Sequence, residues 1–339
     1  MRIFIHHSGA LGDLLLSLPA IETLRASGDV VHLSGRRDVV DFLIKIGYIH
    51  ETSDSDSSLF LPLFTGIYDS AIRHFLGGFD KVYVFTVNGS SEFVKHMHSM
   101  VRNLWVIHTI PPPGTRMHVS KFRLQQILPH DNFTVTGCSP LSTLTTASIY
   151  MEKAMEMLEN AGYDFKKPLT AIHPGSGGRW KCWPFDHCKG LAMKLREAGD
   201  HFLLLLSGPA EEGELKKGTE SLAATLGKGC LHASGLELIT VASLLSLCDF
   251  YIGNDSGITH LASFLTKKGI ALFGPTDPAL WRPIHNGYMV IRPNHECAPC
   301  ENMLSWNALG KYPSDCHIQC LSDISVQTVY DAVSPNFPR

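Results

Sequence analysis

The sequence predicts an α/β protein of two domains, each a parallel sheet covered by helices. Three observations carry this. Short apolar runs alternate with amphipathic stretches along nearly the whole chain, the order of strand–helix–strand units. The series stops once, at Gly162 and the polar Lys166-Lys167-Pro168, and then begins again. A chain of 339 residues is also too long for one ordinary core and suits two. The expected architecture is two Rossmann-like domains facing across a cleft, over residues 1–165 and 166–325, with a C-terminal helix and tail over 326–339.

In the first half, strands are expected near Arg2–His6, Val30–Leu33, Lys81–Phe85 and Leu104–His108, where β-branched and aromatic residues gather. Helices are expected near Gly12–Arg25, Asp38–Ile46 and Ser91–Arg102, with a further helical stretch from His118 to about Leu128 beyond the breaker Pro111-Pro112-Pro113-Gly114. Thr52–Ser58 (TSDSDSS) is expected as a polar loop, and the Asp54-Ser55-Asp56 within it as a solvated turn. A helix over Ser148–Ala161, with Met151, Met155 and Leu158 on one face, leads to the linker. The second series has strands at Leu169–His173, Phe202–Ser207, Cys230–His232, Phe250–Gly253, Ile270–Phe273 and Met289–Arg292. Helices near Phe185–Ala198, Glu211–Leu226, Leu238–Leu247, Gly257–Leu265 and Val326–Val333 fill the gaps.

Composition narrows the function. At 44% hydrophobic and 18% charged, the chain reads as globular. A net charge of -3 gives no support for binding nucleic acid or another polyanion. No apolar run reaches the ~20 residues that span a bilayer. His6, His7 and Asp13 interrupt an N-terminus that superficially resembles a secretion signal, so a cytoplasmic protein is expected, with peripheral contact at the inner membrane face.

Ligands of open parallel sheets bind beyond the carboxyl ends of the strands. Four such ends in the second half carry glycine together with a hydroxyl, carboxylate or cation. They lead into Pro174–Pro184, Gly208–Glu212, Asn254–Gly257 and Gly274–Pro278. Ser256 and Gly257 open a helix whose free N–H groups suit a phosphate. Ser176 among its glycines suits a second anion, with Arg179 or Lys181 to neutralise charge, while Glu211 or Glu212 suits ribose hydroxyls. Each residue alone also has an ordinary structural use: Asp255 and Ser256 as helix caps, Glu211 and Glu212 as first-turn acids, and His260 as a buried histidine. The conjunction favours a nucleotide diphosphate site.

The stretches HPGSGGRWKCWP (His173–Pro184), DSGITHLAS (Asp255–Ser263), ALFGPTDP (Ala271–Pro278) and GALGDLLLSLPAI (Gly9–Ile21) resemble glycosyltransferase family 9, the ADP-heptose–lipopolysaccharide heptosyltransferases of GT-B fold. The similarity covers nearly the whole chain, and the combination of motifs is specific although each alone is weak. The resemblance implies a metal-independent, inverting transferase that moves a sugar, foremost heptose from ADP-heptose, onto a lipopolysaccharide-core or related glycan acceptor. It makes Asp13 the general base that takes the acceptor's proton; from the residues alone, Asp13 is a first-turn acid worth about 0.3–1 kcal/mol. It puts Ser176 and Lys181 on the diphosphate, Glu212 on the ribose and Leu236 beside the adenine. Asp255 then binds the sugar, and Ser256, Gly257 and His260 surround the phosphates. Gly12, Arg73 and His74 fall on the acceptor side. The chain departs from the family in a longer Ser176–Lys181 loop, which leaves Arg179 beside Lys181 as the phosphate cation. It departs also in Leu59–Phe79, which lacks the basic cluster that anionic acceptors call for.

Cys297, Cys300, Cys316 and Cys320, with His295 and His317 beside them, have the spacing of a structural zinc knuckle, against the simpler reading of free thiols in a reducing compartment. Trp183 and Trp281 are expected to be packing residues. Two rival functions remain at this stage: a nucleotide-sugar epimerase or hydrolase of GT-B-like fold, and a non-catalytic nucleotide-sugar-binding relative. A dehydrogenase is disfavoured, because Ser8-Gly9-Ala10-Leu11-Gly12-Asp13 has the wrong glycine spacing.

Overall fold

In the computed structural model of the chain, residues 1–25, 29–67, 69–128, 148–198, 201–208, 211, 213–266, 268–295, 297–300 and 320–336 are described. Two compact units, Met1–Ala147 and Ser148–Arg339, make up the molecule.

The first unit is a five-stranded sheet of β1 (Arg2–His7), β2 (Val30–Gly35), β3 (Glu51–Asp54), β4 (Lys81–Thr86) and β5 (Leu104–His108). Every pairing is parallel and the order is β3-β2-β1-β4-β5. Helices α1 (Leu11–Arg25), α2 (Arg37–Lys45), α3 (Leu61–Thr65), α4 (Ser70–Gly77), α5 (Glu92–Met100) and α6 (Val119–Ile127) make the connections. Asp69 and Ser91 start α4 and α5 by accepting from Ile72 N–H and Val94 N–H, which satisfies donors that a helix start leaves open.

Where a polar loop was expected, Glu51–Asp54 forms an edge strand instead. Among the described residues it pairs only with β2, and its side chains are all half-buried, so no apolar run marks it. The turn after it is as expected: Asp56 N–H donates to Asp54 Oδ1 at 3.0 Å. One face of this sheet packs an aromatic cluster, with Phe4 ringed by Phe60, Phe75 and Phe79. His6 lies on the same face, buried, 4.6 Å from the ring of Phe93.

The second unit opens with α7 (Ser148–Asn160). Its strands are β6 (Leu169–His173), β7 (Phe202–Ser207), β8 (Cys230–Ser234), β9 (Phe250–Asn254), β10 (Gly269–Leu272) and β11 (Tyr288–Ile291). They form a second wholly parallel sheet in the order β11-β10-β9-β6-β7-β8. Between them run α8 (Phe185–Glu197), α9 (Glu214–Leu226), α10 (Leu238–Ser246), α11 (Gly257–Leu265) and the short α12 (Pro278–Trp281); α13 (Val326–Val333) closes the chain. β7, read FLLLLS, is buried throughout, as a strand covered on both faces must be.

The sequence placed α7 at the end of the first domain, but it packs on α10, with Ser246 Oγ 3.4 Å from Met151 Sδ. The division therefore falls before this helix. α13 is likewise part of the second core: Val329 and Val333 join the cluster around Leu191, Leu195 and Trp183. Trp183 Nε1 donates to Ile324 O at 2.8 Å, so this tryptophan is a packing residue, as expected.

In each sheet the chain order reverses once, between β1 and β4 in the first and between β6 and β9 in the second. At such a point the connections leave in opposite directions and the strand ends between them stay uncovered.

Burial holds the His6 ring neutral, with its pKa down to about 4. The unfolded chain takes up this proton below about 6.5, and the folded one only near 4, so stability falls as pH drops through that window. A His6→Leu variant is expected to lose about 1.4 kcal/mol less per pH unit than the parent there. Denaturant unfolding at pH 6.5, 5.5 and 4.5 measures it, and equal slopes would show that His6 titrates freely.

Candidate functional site

The switch point of each sheet carries charged residues. In the first unit, β1 ends at His7 and the chain turns through Gly9 into α1. The imidazole of His7 is buried, and its pKa lies near 3 because of that burial first and the charge of Arg123 second. The neutral ring accepts at Nδ1 from Gly9 N–H (3.3 Å), which leaves Nε2 to donate to Ser17 Oγ (3.0 Å). Ser17 Oγ in turn donates to Asp13 O at 3.0 Å. Arg123, on α6, inserts its guanidinium beneath: Nε donates to Thr109 O (3.0 Å), Nη1 to Asp13 O (2.6 Å) and Ser17 Oγ (2.9 Å), and Nη2 to Asp13 Oδ1 (3.2 Å).

Sequence reasoning passed over Arg123. A signal was there, since it occupies the buried stripe of its helix with Val119, Ser120 and Leu124. A charge in such a stripe asks for a partner. Gly9 is required by contact: a Cβ there would stand 2.8 Å from His7 Cε1 and 2.9 Å from Asp13 Cβ.

In the second unit, the exits of β6 and β9 are bound together by Asn254. Its buried carboxamide accepts from Trp183 N–H (2.9 Å) and donates to Pro174 O (2.8 Å) and Gly175 O (3.3 Å). The loop so held brings Ser176 and Lys181 to Asp255. Ser176 Oγ donates to Asp255 O at 2.6 Å, and Lys181 Nζ lies 2.9 Å from Asp255 Oδ2. His260 Nε2 is 3.9 Å from Asp255 Oδ1. Ser256 caps α11 by accepting from Thr259 N–H (3.2 Å), and Gly257 is the first helical residue. The helix's N–H groups, the hydroxyl of Ser256 and the ammonium of Lys181 thus converge at one strand end, an arrangement suited to an anion.

Behind it, His173 Nε2 pairs with Glu211 Oε1 at 3.2 Å, both side chains buried. Glu211 also accepts from Gly208 N–H. Burial pushes the Glu211 carboxyl up, but the His173 contact and the backbone N–H groups outweigh it, and the net shift is downward. Each carboxylate oxygen of Glu211 thus has a partner within the protein. A Cβ on Gly175 would lie 1.7 Å from Glu211 Oε1, so only glycine fits.

Of the residues picked from sequence, Ser176, Lys181, Asp255, Ser256, Gly257 and His260 come together here. Arg179 is exposed on a short 3-10 turn, whereas Lys181 reaches Asp255. Leu236 is half-buried just after Gly235, whose φ of 66° sets the turn beyond β8. Glu212 and Cys316 lie outside the described residues. Gly12 sits beside Asp13 in the first turn of α1.

Arg73 and His74 are exposed on α4, but His74 lines a recess of about 650 Å³ with Arg2, His32 and Glu51. Those residues mark the amino ends of the strands, because α4 runs back toward the start of β4. His74 therefore lies toward the amino ends of the strands, whereas Asp13 follows the carboxyl end of β1.

Cys300 N–H donates to Pro275 O (2.8 Å), and Cys297 is exposed. No group of three or more His, Cys, Asp or Glu that could hold a metal ion occurs among the described residues. The zinc expectation thus finds no support. No described helix is long and apolar enough to cross a membrane.

The family model for Glycosyltransferase family 9 (heptosyltransferase) matches residues 101–309. Lipopolysaccharide heptosyltransferase 2 of Salmonella typhimurium is 32% identical over 146 residues, 42% of this chain, and the match spans only 40% of that protein's length. Lipooligosaccharide heptosyltransferase 2 of Campylobacter jejuni (serotype O:2) is 21% identical over 338 residues, covering 98% of this chain and 97% of its own. Among solved structures, E. coli ADP-heptose lps heptosyltransferase II superposes with a TM-score of 0.70 at 16% identity, over 99% of this chain and 98% of that one. The fold is thus shared over the full length.

Gly175→Ala should displace the Glu211 carboxylate from His173 and cost about 1–3 kcal/mol, the penalty for a buried polar group left unpaired. Thermal unfolding reads the loss. An unshifted midpoint would mean that the loop has room the geometry does not show.

Proposed function

The chain belongs to glycosyltransferase family 9, and on that premise we propose that it transfers heptose from ADP-heptose, with inversion, onto a lipopolysaccharide-core or related glycan acceptor. The observation that carries the reading is the Lys181–Asp255 pair at the amino end of α11, which sets a cation, a carboxylate and open helix N–H groups at one strand end. A nucleotide diphosphate-sugar presents the matching sequence of phosphates and hydroxyls.

In this reading the diphosphate lies on the N–H groups of Gly257 and the hydroxyls of Ser176 and Ser256, with Lys181 and the exposed Arg179 balancing its charge. Asp255 takes the sugar hydroxyls, His260 borders the phosphates, and Leu236 lies against the adenine. The ribose falls to Glu212, since Glu211 is committed to His173 and Gly208. The acceptor hydroxyl attacks the anomeric carbon and gives its proton to Asp13. The bond from that carbon to the β-phosphate oxygen breaks, and ADP leaves as an anion. Lys181 and the helix end stabilise that departing charge, so the proposed reaction uses no metal ion. Inversion follows from a single displacement. The protein is proposed to act in the cytoplasm, touching a membrane surface through the exposed Leu61, Phe64 and Ile67.

Three measurements test this. Calorimetric titration without added metal should show binding of ADP in preference to UDP and GDP; preference for another nucleotide would discard heptose, and binding of none would point to a non-catalytic relative. Asp13→Asn should leave ADP affinity intact while lowering transfer by about 10²–10⁴-fold, the usual worth of a positioned base; an undiminished rate removes Asp13 from the mechanism. Co-sedimentation with anionic lipid vesicles should weaken in a Leu61→Ser/Phe64→Ser variant, and equal pelleting of both proteins argues against that surface.

A further inference from the structure

We propose that Arg123 is a positioning residue for Asp13 in the transfer reaction, an inference that rests on the base role given to Asp13 above. The two side chains differ sharply in exposure: the guanidinium has none, and the Asp13 carboxylate shows 39%. A fully buried cation persists only when paired and hydrogen-bonded, so its partners are fixed with it.

Two of Arg123's contacts go to one residue. Nη1 donates to the backbone carbonyl of Asp13 and Nη2 to its Oδ1, so a single planar group holds both the main chain and the carboxylate. A free aspartate turns about its terminal torsion over a broad range. Here one oxygen is tied inward, and among the described residues Oδ2 has no hydrogen-bond partner. The carboxylate therefore presents Oδ2 outward in a set direction, as a base must to meet the hydroxyl of an acceptor.

Ser17 and His7 complete the mounting. Ser17 Oγ accepts from His7 Nε2 and Arg123 Nη1 and donates to Asp13 O, so both lone pairs and the proton of this hydroxyl are used. The imidazole, held neutral, adds no second positive charge beside the guanidinium. A lysine in place of Arg123 keeps the charge and loses the fork.

The test is a double-mutant cycle of Arg123→Lys and Asp13→Asn, assayed by transfer from ADP-heptose to a heptose-deficient lipopolysaccharide core. Arg123→Lys should lower kcat by about 10²-fold, as a misplaced reactive group does, with the donor KM and ADP affinity within about twofold of the parent. Added to Asp13→Asn, it should cause no further loss, because a positioning residue acts only through what it positions. A kcat near the parent's overturns the proposal. So does the same loss in the Asp13→Asn background, which is what a purely structural role would give. Should Arg123→Lys fail to fold, Ser17→Ala replaces it in the cycle and should show the same dependence on Asp13, its absence overturning the proposal. A parent and an Asp13→Asn variant that transfer equally fast would overturn the base reading itself, which separates that failure from this one.

Discussion

The chemistry of the second unit hangs on the buried carboxamide of Asn254. β6 and β9 are neighbours whose connections leave in opposite directions, so nothing in the regular fold holds the segment after β6 against the end of β9. Asn254 supplies that hold with one acceptor and two donor contacts. Its side chain reaches main-chain groups that no strand or helix would satisfy, and buried main-chain groups need partners. Ser176 and Lys181 meet Asp255 only because the loop carrying them is fixed there. The His173–Glu211 pair then fills the space behind the loop, leaving Gly175 no room for a side chain.

The two switch points solve one electrostatic problem in opposite ways. At the first, the cation is sealed in and the carboxylate is shown: Arg123 has no exposure and Asp13 has 39%. At the second, the carboxylate is withdrawn at 7% and the cation is more open at 24%. In each pair the more buried group is the more firmly fixed, and its partner is the more exposed. A presented carboxylate suits proton removal and a presented ammonium suits phosphate, the two tasks that the proposed transfer assigns to them.

Much of this could be read from the residues, and the part that could not has identifiable causes. The buried strands of the second unit announced themselves as apolar runs, and the residues following β6 and β9 as glycine, hydroxyl and charge at strand ends. β3 gave no such sign, because an edge strand covered on one side can be written ETSD. α3 and α4 hid behind a stretch rich in aromatic residues with no clear period. Arg123 and Asp13 are 110 positions apart, and His173 and Glu211 meet across two strand exits. Such pairings are made by the fold and leave no local trace. The boundary was misplaced for a similar reason: α7 precedes the linker in sequence but finds its apolar partner on α10.

Asn254 has one more effect, on how this loop can vary. By gripping the chain at Pro174 and Gly175 and again at Trp183, it closes the intervening stretch into a ring. Residues gained or lost within that ring change its tip without shifting either strand end, and a small change in loop length costs little entropy. The reach of the loop's cations is therefore adjustable by insertion and deletion, while Asp255 stays where the sheet puts it. A lineage, or a designer, can retune the one without rebuilding the other.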